Sequence, residues 1–208
     1  MTIADRHLDS LMRRLATHDD IELIHPFAEW RTFGALAYVA ECHGFRYEGV
    51  RLVGRQRIVH VRLVRDPGPW ARERAAATAA AFPGAGPGRP APGMRPGSLT
   101  PLPEAQADVD LVTALIRYEA LETAVDRTQL LTLGWGSAAL FLLLAVLTGK
   151  YAVLLPLAVL APLGMLGALR LNASRRAKLA RYLTAAGCMP VRNGHGRERY
   201  VRPVPYGV

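Results

Sequence analysis

The sequence predicts an α+β membrane protein: a two-helix transmembrane hairpin with small cytoplasmic α/β parts before and after it. Three observations carry this. Residues 128–149 and 151–169 contain no Asp, Glu, His, Lys or Arg, and Lys150 alone separates them. Charge is uneven along the chain: residues 128–208 hold ten basic residues against Glu198, whereas residues 1–82 and 83–127 are nearly balanced, at net +2 and −2. Outside the apolar runs, residues alternate or repeat at the spacings of strands and helices.

Each apolar run reaches the ~20 residues that cross a hydrocarbon core of ~30 Å at ~1.5 Å per residue. The alternative is a pair of helices buried in a soluble protein, but a chain of 208 residues has little polar mass with which to cover both on all sides. Spans are expected at about 130–149 and 151–169, within a hairpin over 128–169 that turns at Gly149 and Lys150. Arg170, Arg175, Arg176, Lys178 and Arg181 follow the second run, and Arg117 and Arg127 precede the first. The positive-inside rule then places both termini in the cytoplasm and the turn outside, as a multi-pass protein of the inner (cytoplasmic) membrane. The five basic residues from Arg170 to Arg181 are expected to touch anionic lipid headgroups, at about 1 kcal/mol each. Trp135 and Tyr151 suit the interfacial positions of aromatic side chains. Folded at Lys150, the run sets Gly134, Gly136 and Ala138 opposite Met165, Leu163 and Ala161, with Gly164, Gly167 and Ala168 nearby. Small residues let backbones approach, so these are the expected packing positions. Pro156 and Pro162 each remove a backbone donor and are expected to kink the second span.

Residues 1–82 read as a cytoplasmic α+β domain in the order α-α-β-β-α. Leu8, Leu11, Met12 and Leu15 give a helix over 4–17. After a short extended piece, residues 26–43 read as a helix with Pro26 in its first turn, a core stripe of Phe27, Trp30, Phe33 and Ala37, and Gly44 as its stop. A hairpin follows over 45–53 and 56–65, its second strand apolar at Val59, Val61 and Leu63 and largely basic on the other face. Residues 70–82 read as an Ala-rich helix. Residues 83–103 are a Pro/Gly-rich linker of semi-extended character. Residues 104–127 are an amphipathic helix leading into the membrane, with Leu111, Leu115, Tyr118, Leu121 and Val125 along one side. Residues 170–208 are a basic cytoplasmic helix (173–186) and an extended tail.

One internal echo stands out. LAYVAECHGF (36–45) followed by GRQRIV (54–59) resembles LARYLTAAGC (179–188) followed by GRERYV (196–201). Both read as helix, glycine stop, extended piece, Gly-Arg turn and strand. This predicts an α-β-β pseudo-repeat whose two halves join into one cytoplasmic sheet; the alternative is chance similarity in an Arg/Ala/Gly-rich chain.

Function classes are bounded by what else the sequence holds. Twenty-four Arg against two Lys, with abundant Ala, Gly and Pro, point to a GC-rich, bacterial coding sequence. The stretch MTIADRHLDSLMRR lacks an apolar core, so no cleavable signal is expected. The high pI (≈ 10.2) comes from cations beside the apolar runs, and Arg55, Arg57 and Arg62 are interleaved with Glu41 and Glu48. Nucleic acid is therefore not an expected partner. Cys42 and Cys188 have no disulfide-framework spacing and read as free structural thiols. A zinc site from Cys42, His43, Cys188 and His195 is the weaker alternative, since adjacent Cys and His lack the usual ligand spacing. There is no nucleophile elbow, P-loop, dinucleotide fingerprint or paired-carboxylate pattern, so neither a catalytic site nor a cofactor is expected. Ionisable residues, which mark transport paths at depth, are missing from both runs. The expectation is a membrane-anchored cytoplasmic interaction or scaffold protein whose partners are the bilayer with its anionic lipids, another protein, or a copy of itself. The rivals are an oligomeric pore-forming or holin-like protein and an enzyme with an unrecognised site between the two cytoplasmic pieces.

Overall fold

Ile21 and Leu23 alternate with charged neighbours and form strand β1 (Asp20–Ile24), which follows helix α1 (Ile3–Thr17). Helix α2 (Trp30–Cys42), strands β2 (Phe45–Val53) and β3 (Ile58–Arg65), and helix α3 (Pro69–Ala81) come next. Then come helices α4 (Pro103–Ala124), α5 (Arg127–Thr148) and α6 (Tyr151–Ala185), and strands β4 (Met189–Arg192) and β5 (Glu198–Val201). This computed structural model describes residues 3–24, 29–54, 58–83, 91–124, 127–192 and 198–202. The fold is mixed α+β and includes two helices long and apolar enough to cross a membrane. The chain divides into two units, one built from Met1–Ala120 and Leu183–Val208, the other from Leu121–Tyr182.

In the first unit an antiparallel sheet has the order β1-β3-β2. The short extended piece of the sequence reading is β1, and it takes the free edge of β3, with Ile21 opposite Leu63 and Leu23 opposite Val61. Phe45, Tyr47 and Val50 are buried although their spacing breaks the alternation of a strand. A bulge between Tyr47 and Gly49 absorbs Glu48 and returns Val50 to the core side. Helix α2 differs from its expected stripe. Phe33 and Ala37 are buried as expected, but Trp30 is 36% exposed and Phe27 lies outside the described residues. Gly34 explains the close packing on this side, because a Cβ there would stand 1.9 Å from Thr113 Oγ1 on α4.

Helix α4 is the centre of the unit. Val112, Ile116 and Leu115 are shielded from solvent, and so are Ala114, Tyr118 and Ala120, so burial extends around more than the one expected side. The Thr113 hydroxyl, caught in this packing, donates to Val109 O at 2.7 Å. The second half of the Pro/Gly-rich stretch is also tied down. Arg95 N–H donates to Thr100 O (3.0 Å) and Leu102 N–H to Gly93 O (2.8 Å), which seats Met94 in the core at 2% exposure. An apolar Met side chain and a closed hydrogen-bonded turn turn this part of the spacer into core. Residues 84–90 lie outside the described set.

The sequence echo has a local counterpart. Helices α2 and α6 both stop at a glycine in the left-handed region, Gly44 (φ 83°) and Gly187 (φ 81°), and each is followed by strands that pair antiparallel. At Gly187 the stop is a Schellman turn, with Gly187 N–H to Thr184 O at 3.0 Å and Cys188 N–H to Leu183 O at 2.9 Å. The two hairpins do not join into the single expected sheet: β4 and β5 form a separate two-stranded sheet among the described residues. The reason is visible at the edge of β2, where the Val50 N–H is taken by the Glu119 carboxylate at 3.1 Å instead of by a strand.

In the second unit the apolar side chains of α5 and α6 point outward: Leu147 is 72% exposed, Val146 69% and Val153 63%. The two helices are connected through Gly149 and Lys150, and Gly149 N–H closes α5 on Ala145 O at 2.9 Å. Helix α6 runs unbroken for 35 residues through Pro156 and Pro162. The separate basic helix expected over 173–186 is its continuation, because no glycine or proline interrupts residues 168–186. Several polar side chains within the unit donate to backbone carbonyls. Ser137 Oγ donates to Gly134 O (2.9 Å), Thr148 Oγ1 to Leu144 O (2.6 Å), and Asn172 Nδ2 to Leu121 O (3.4 Å).

Candidate functional site

Side chains set on otherwise apolar helix faces give the first unit its most distinctive chemistry. Glu41 follows the buried Ala37 and Ala40 on α2, and Glu119 follows Leu115 and Tyr118 on α4. Neither carboxylate is left alone. Glu41 Oε2 accepts from Arg202 Nη1 at 3.1 Å and stands 3.8 Å from Arg74 Nη1, while Arg202 Nη2 lies 3.7 Å from Asp108 Oδ1. Glu119 Oε2 accepts from the Tyr47 hydroxyl (2.8 Å) and from Val50 N–H (3.1 Å), and its Oε1 lies 3.7 Å from Arg199 Nε. Arg199 also reaches Glu48 Oε1 at 3.9 Å. Between the two arginines Tyr200 is buried against Tyr118, ring edge to ring face at 5.0 Å. Arg199, Tyr200 and Arg202, which carry these contacts, thus bind this late segment to α2, β2 and α4.

Electrostatics follow from burial. Desolvation pushes the Glu41 carboxyl up, Arg202 and Arg74 pull it back, and Asp108 adds to the push; the net shift is upward. Tyr47 is raised well above the ordinary phenol value, first by burial and then by the Glu119 carboxylate. Tyr38 is pushed up to about 12 by burial and by the neighbouring Cys42. These groups hold protons firmly or are neutralised in pairs, an arrangement suited to holding parts together and recognising charge.

Beside the cluster opens a cleft of about 200 Å³. Glu41, Phe45 and Tyr47 line it from α2 and β2, Trp70 and Arg74 from α3, and Arg199 to Arg202 from the chain end. Its walls are therefore shared between the early and the late segments of the sequence. The sequence signal for the cluster was a carboxylate inside each of two apolar helix faces. Its partners on the tail could not be read, since Glu41 and Arg202 are 161 residues apart.

The sequence-predicted residues are placed as follows. Cys42 is buried and accepts from Arg74 Nη2 at 3.5 Å. The adjacent His43 is held below its ordinary value by burial, and the buried Cys188 thiol is pushed up by the same cause. His195 lies outside the described residues, and among those described no three His, Cys, Asp or Glu side chains converge as a metal site. Arg170, Arg175, Lys178 and Arg181 are exposed on α6, while Arg176 turns to Glu122 at 3.4 Å. Of the expected small packing residues, Gly134 faces the second helix closely: a Cβ there would meet Met165 Cγ at 3.3 Å and Pro162 Cα at 3.5 Å. Ala138 is buried and Ala161 partly so, whereas Gly136, Gly164 and Gly167 border open space and Ala168 is exposed. Ala145 and Ala158, absent from the expected set, are buried in the same unit. On the basic strand face, Arg62 is held by Asp20 through two nitrogens (2.5–3.1 Å), and Glu22 engages both Arg51 and His60. Arg55 and Arg57 lie outside the described residues.

Comparison with protein-family models, with curated proteins and with solved structures finds no match for this chain.

Proposed function

We propose that this chain is a membrane-anchored interaction protein: α5 and α6 cross the bilayer as a hairpin, and the first unit works on the cytoplasmic side against a protein partner or a second copy. The observation that carries this reading is the outward apolar surface of α5 and α6. Only 17% and 6% of the residues in their most apolar stretches are buried. Core helices of a soluble protein pass the same test of composition but are mostly covered. Leaving such side chains in water forfeits about 1.5–3 kcal/mol for each large one, and lipid removes that cost.

The number of crossings is supported by connectivity. The first unit takes residues from before and after the apolar helices, Met1–Ala120 and Leu183–Val208. A unit with buried ion pairs would not be divided by a bilayer, which supports both flanks on one side and an even number of crossings. The five cations that follow the second span, on the same helix, against Lys150 in the turn favour the cytoplasm for that side. Continuity of α6 refines the lipid contacts. If residues 151–169 span, Arg170 and Arg175 lie within about 9 Å of the hydrocarbon edge and meet headgroups, whereas Lys178 and Arg181 stand about 14–18 Å beyond it, at ~1.5 Å per residue. Arg176 is directed to Glu122.

An anchor is favoured over a pore because the hydroxyls of Ser137 and Thr148 bond to their own helix and offer no polar lining. The enzyme alternative called for a cleft between the two cytoplasmic pieces, and the 200 Å³ cleft occupies that place; its polar groups are ion-paired arginines and carboxylates, which favours recognition. Confinement to a surface would raise the local concentration of the first unit for a partner on the same membrane.

The test is alkaline extraction of membranes from cells making the full chain, followed by thiol labelling of Lys150→Cys. Cys42 and Cys188 are 5% and 3% exposed, so the background is low. The chain should stay with the pellet, and the new thiol should react with an impermeant reagent added outside. Release into the supernatant sinks the anchor; labelling solely after the cells are opened reverses the orientation. Ion or dye leakage on controlled expression would favour the pore.

A further inference from the structure

We propose that the cleft beside the ion-pair cluster binds a small organic anion, a carboxylate or phosphate head on a single flat apolar ring. Four arginines line it, Arg46, Arg74, Arg199 and Arg202, against two carboxylates in the lining, Glu41 and Asp66; Glu48, Glu119 and Asp108 pair with these arginines at 3.5–3.9 Å. Both lining carboxylates are engaged. Asp66 Oδ1 accepts from Gly68 N–H at 2.9 Å, and Glu41 accepts from Arg202. The arginines are held more loosely. Among the described residues Arg199 Nε and Arg202 Nη2 donate to no acceptor; these two atoms are sealed from solvent, but their side chains keep 26% and 30% exposure. Their nearest carboxylate oxygens, Glu119 Oε1 and Asp108 Oδ1, are each 3.7 Å away, beyond the ~3.2 Å limit of a good N–H···O bond. Two partly exposed guanidinium groups on one cleft can take a further acceptor, and the guanidinium fork fits the oxygens of carboxylate and phosphate.

The rest of the lining selects the body of the ligand. Phe45, Leu115 and Val201 are apolar, and Trp70, 52% exposed, offers an indole face at the opening. A volume of about 200 Å³ falls below the ~300–1,000 Å³ of pockets that take drug-sized molecules. One ring with its charged head fits; a dinucleotide does not. The charge selects against neutral rings, and the apolar wall selects against bare ions. This inference does not depend on where α5 and α6 reside, since the cleft belongs wholly to the first unit.

The experiment is calorimetric titration of the full chain in a neutral detergent with benzoate and phenyl phosphate. Inorganic phosphate serves as a head-only probe and benzyl alcohol as a body-only probe. At least one of the two aryl anions should bind with a Kd of about 1 mM or tighter and at least about tenfold better than either control. Arg199→Gln should weaken it about tenfold or more, and Trp70→Ala, a change at an exposed rim residue, should weaken it severalfold while leaving the unfolding temperature in place. In nanodiscs, adding anionic lipid should not change the affinity. Absence of binding by both aryl anions overturns the proposal, as does equal binding of benzyl alcohol or inorganic phosphate. Unchanged affinity in a folded Arg199→Gln chain, or in Trp70→Ala if the former fails to fold, also overturns it. Competition by anionic lipid would transfer the site from a soluble anion to a lipid headgroup and overturn it in this form.

Discussion

Glu41 shows how much one buried carboxylate can determine. Its proton is held more tightly in the folded chain than in the unfolded one, because burial outweighs the pull of Arg202 and Arg74. A carboxyl with a raised folded value contributes most stability below its ordinary value of 4.5 and loses that contribution as pH rises through the raised value. His43, lowered by burial, tilts the range below its ordinary 6.5 the opposite way, and Asp20 and Glu22 on the exposed strand face, both lowered, act at still lower pH. The diagnostic is therefore the difference between Glu41→Gln and the parent: thermal unfolding followed from pH 4.5 upward should fall less steeply in the variant. Glu119 makes a second prediction. It accepts two hydrogen bonds and faces Arg199, so Glu119→Ala strands a phenol, an amide and a guanidinium, and should cost about 3–5 kcal/mol in chemical denaturation. At this scale the sequence was partly legible. Cys42 and Cys188 read correctly as free buried thiols, whereas Glu41 and Glu48 read as mere dilution of a basic strand face. Their partners sit near the far end of the chain, beyond the reach of any local pattern.

Helices make the same point in a different way. Where a pattern is local, it survived: α1, the β2 and β3 strands and the two glycine stops lie within a few residues of their expected places. Where neighbours decide, it did not. Helix α4 carried a single expected stripe, yet three-dimensional packing covers it widely, and Gly34 on α2 owes its identity to Thr113 on that helix. Gly34→Ala should lower the unfolding temperature by several degrees, and Thr113→Gly in the same chain should recover part of the loss; full stability of the single variant would disprove the close crossing. Among the small residues of α5 and α6, the sequence treated all seven alike, but they differ in surroundings. Gly134→Val should weaken the association of the two helices by about 1–3 kcal/mol, the usual cost of overpacking, because a Cβ already meets Met165. Gly164→Val, facing open space, should be tolerated when unfolding of both is measured in detergent.

As a whole, the molecule is arranged so that one unit begins and ends the chain while another occupies its middle. The sequence showed the apolar middle plainly, since lack of charge over two runs needs no partner to be seen. It did not show that the tail completes the opening domain. A chain ending after Tyr182 would lose Leu183, Cys188 and Tyr200, all buried, along with both tail arginines. Such a chain should keep the proposed hold on the membrane while its first 120 residues become open to limited proteolysis; a digestion pattern like that of the full chain would show that the tail is dispensable.

The Arg202–Glu41 contact, made across 161 positions, also has a consequence in time. Synthesis runs from the amino end, so the opening segment leaves the ribosome long before the strand that closes it. Until residues 199–202 have emerged, the faces of α2 and α4 that receive Tyr200 and Arg202 remain uncovered, and closure must await a rare long-range encounter. A nascent chain is thus held until then in an unfinished, chaperone- and protease-accessible form. In a chain anchored as proposed, an error that left residues 189–202 across the membrane from α2 and α4 would make that form permanent.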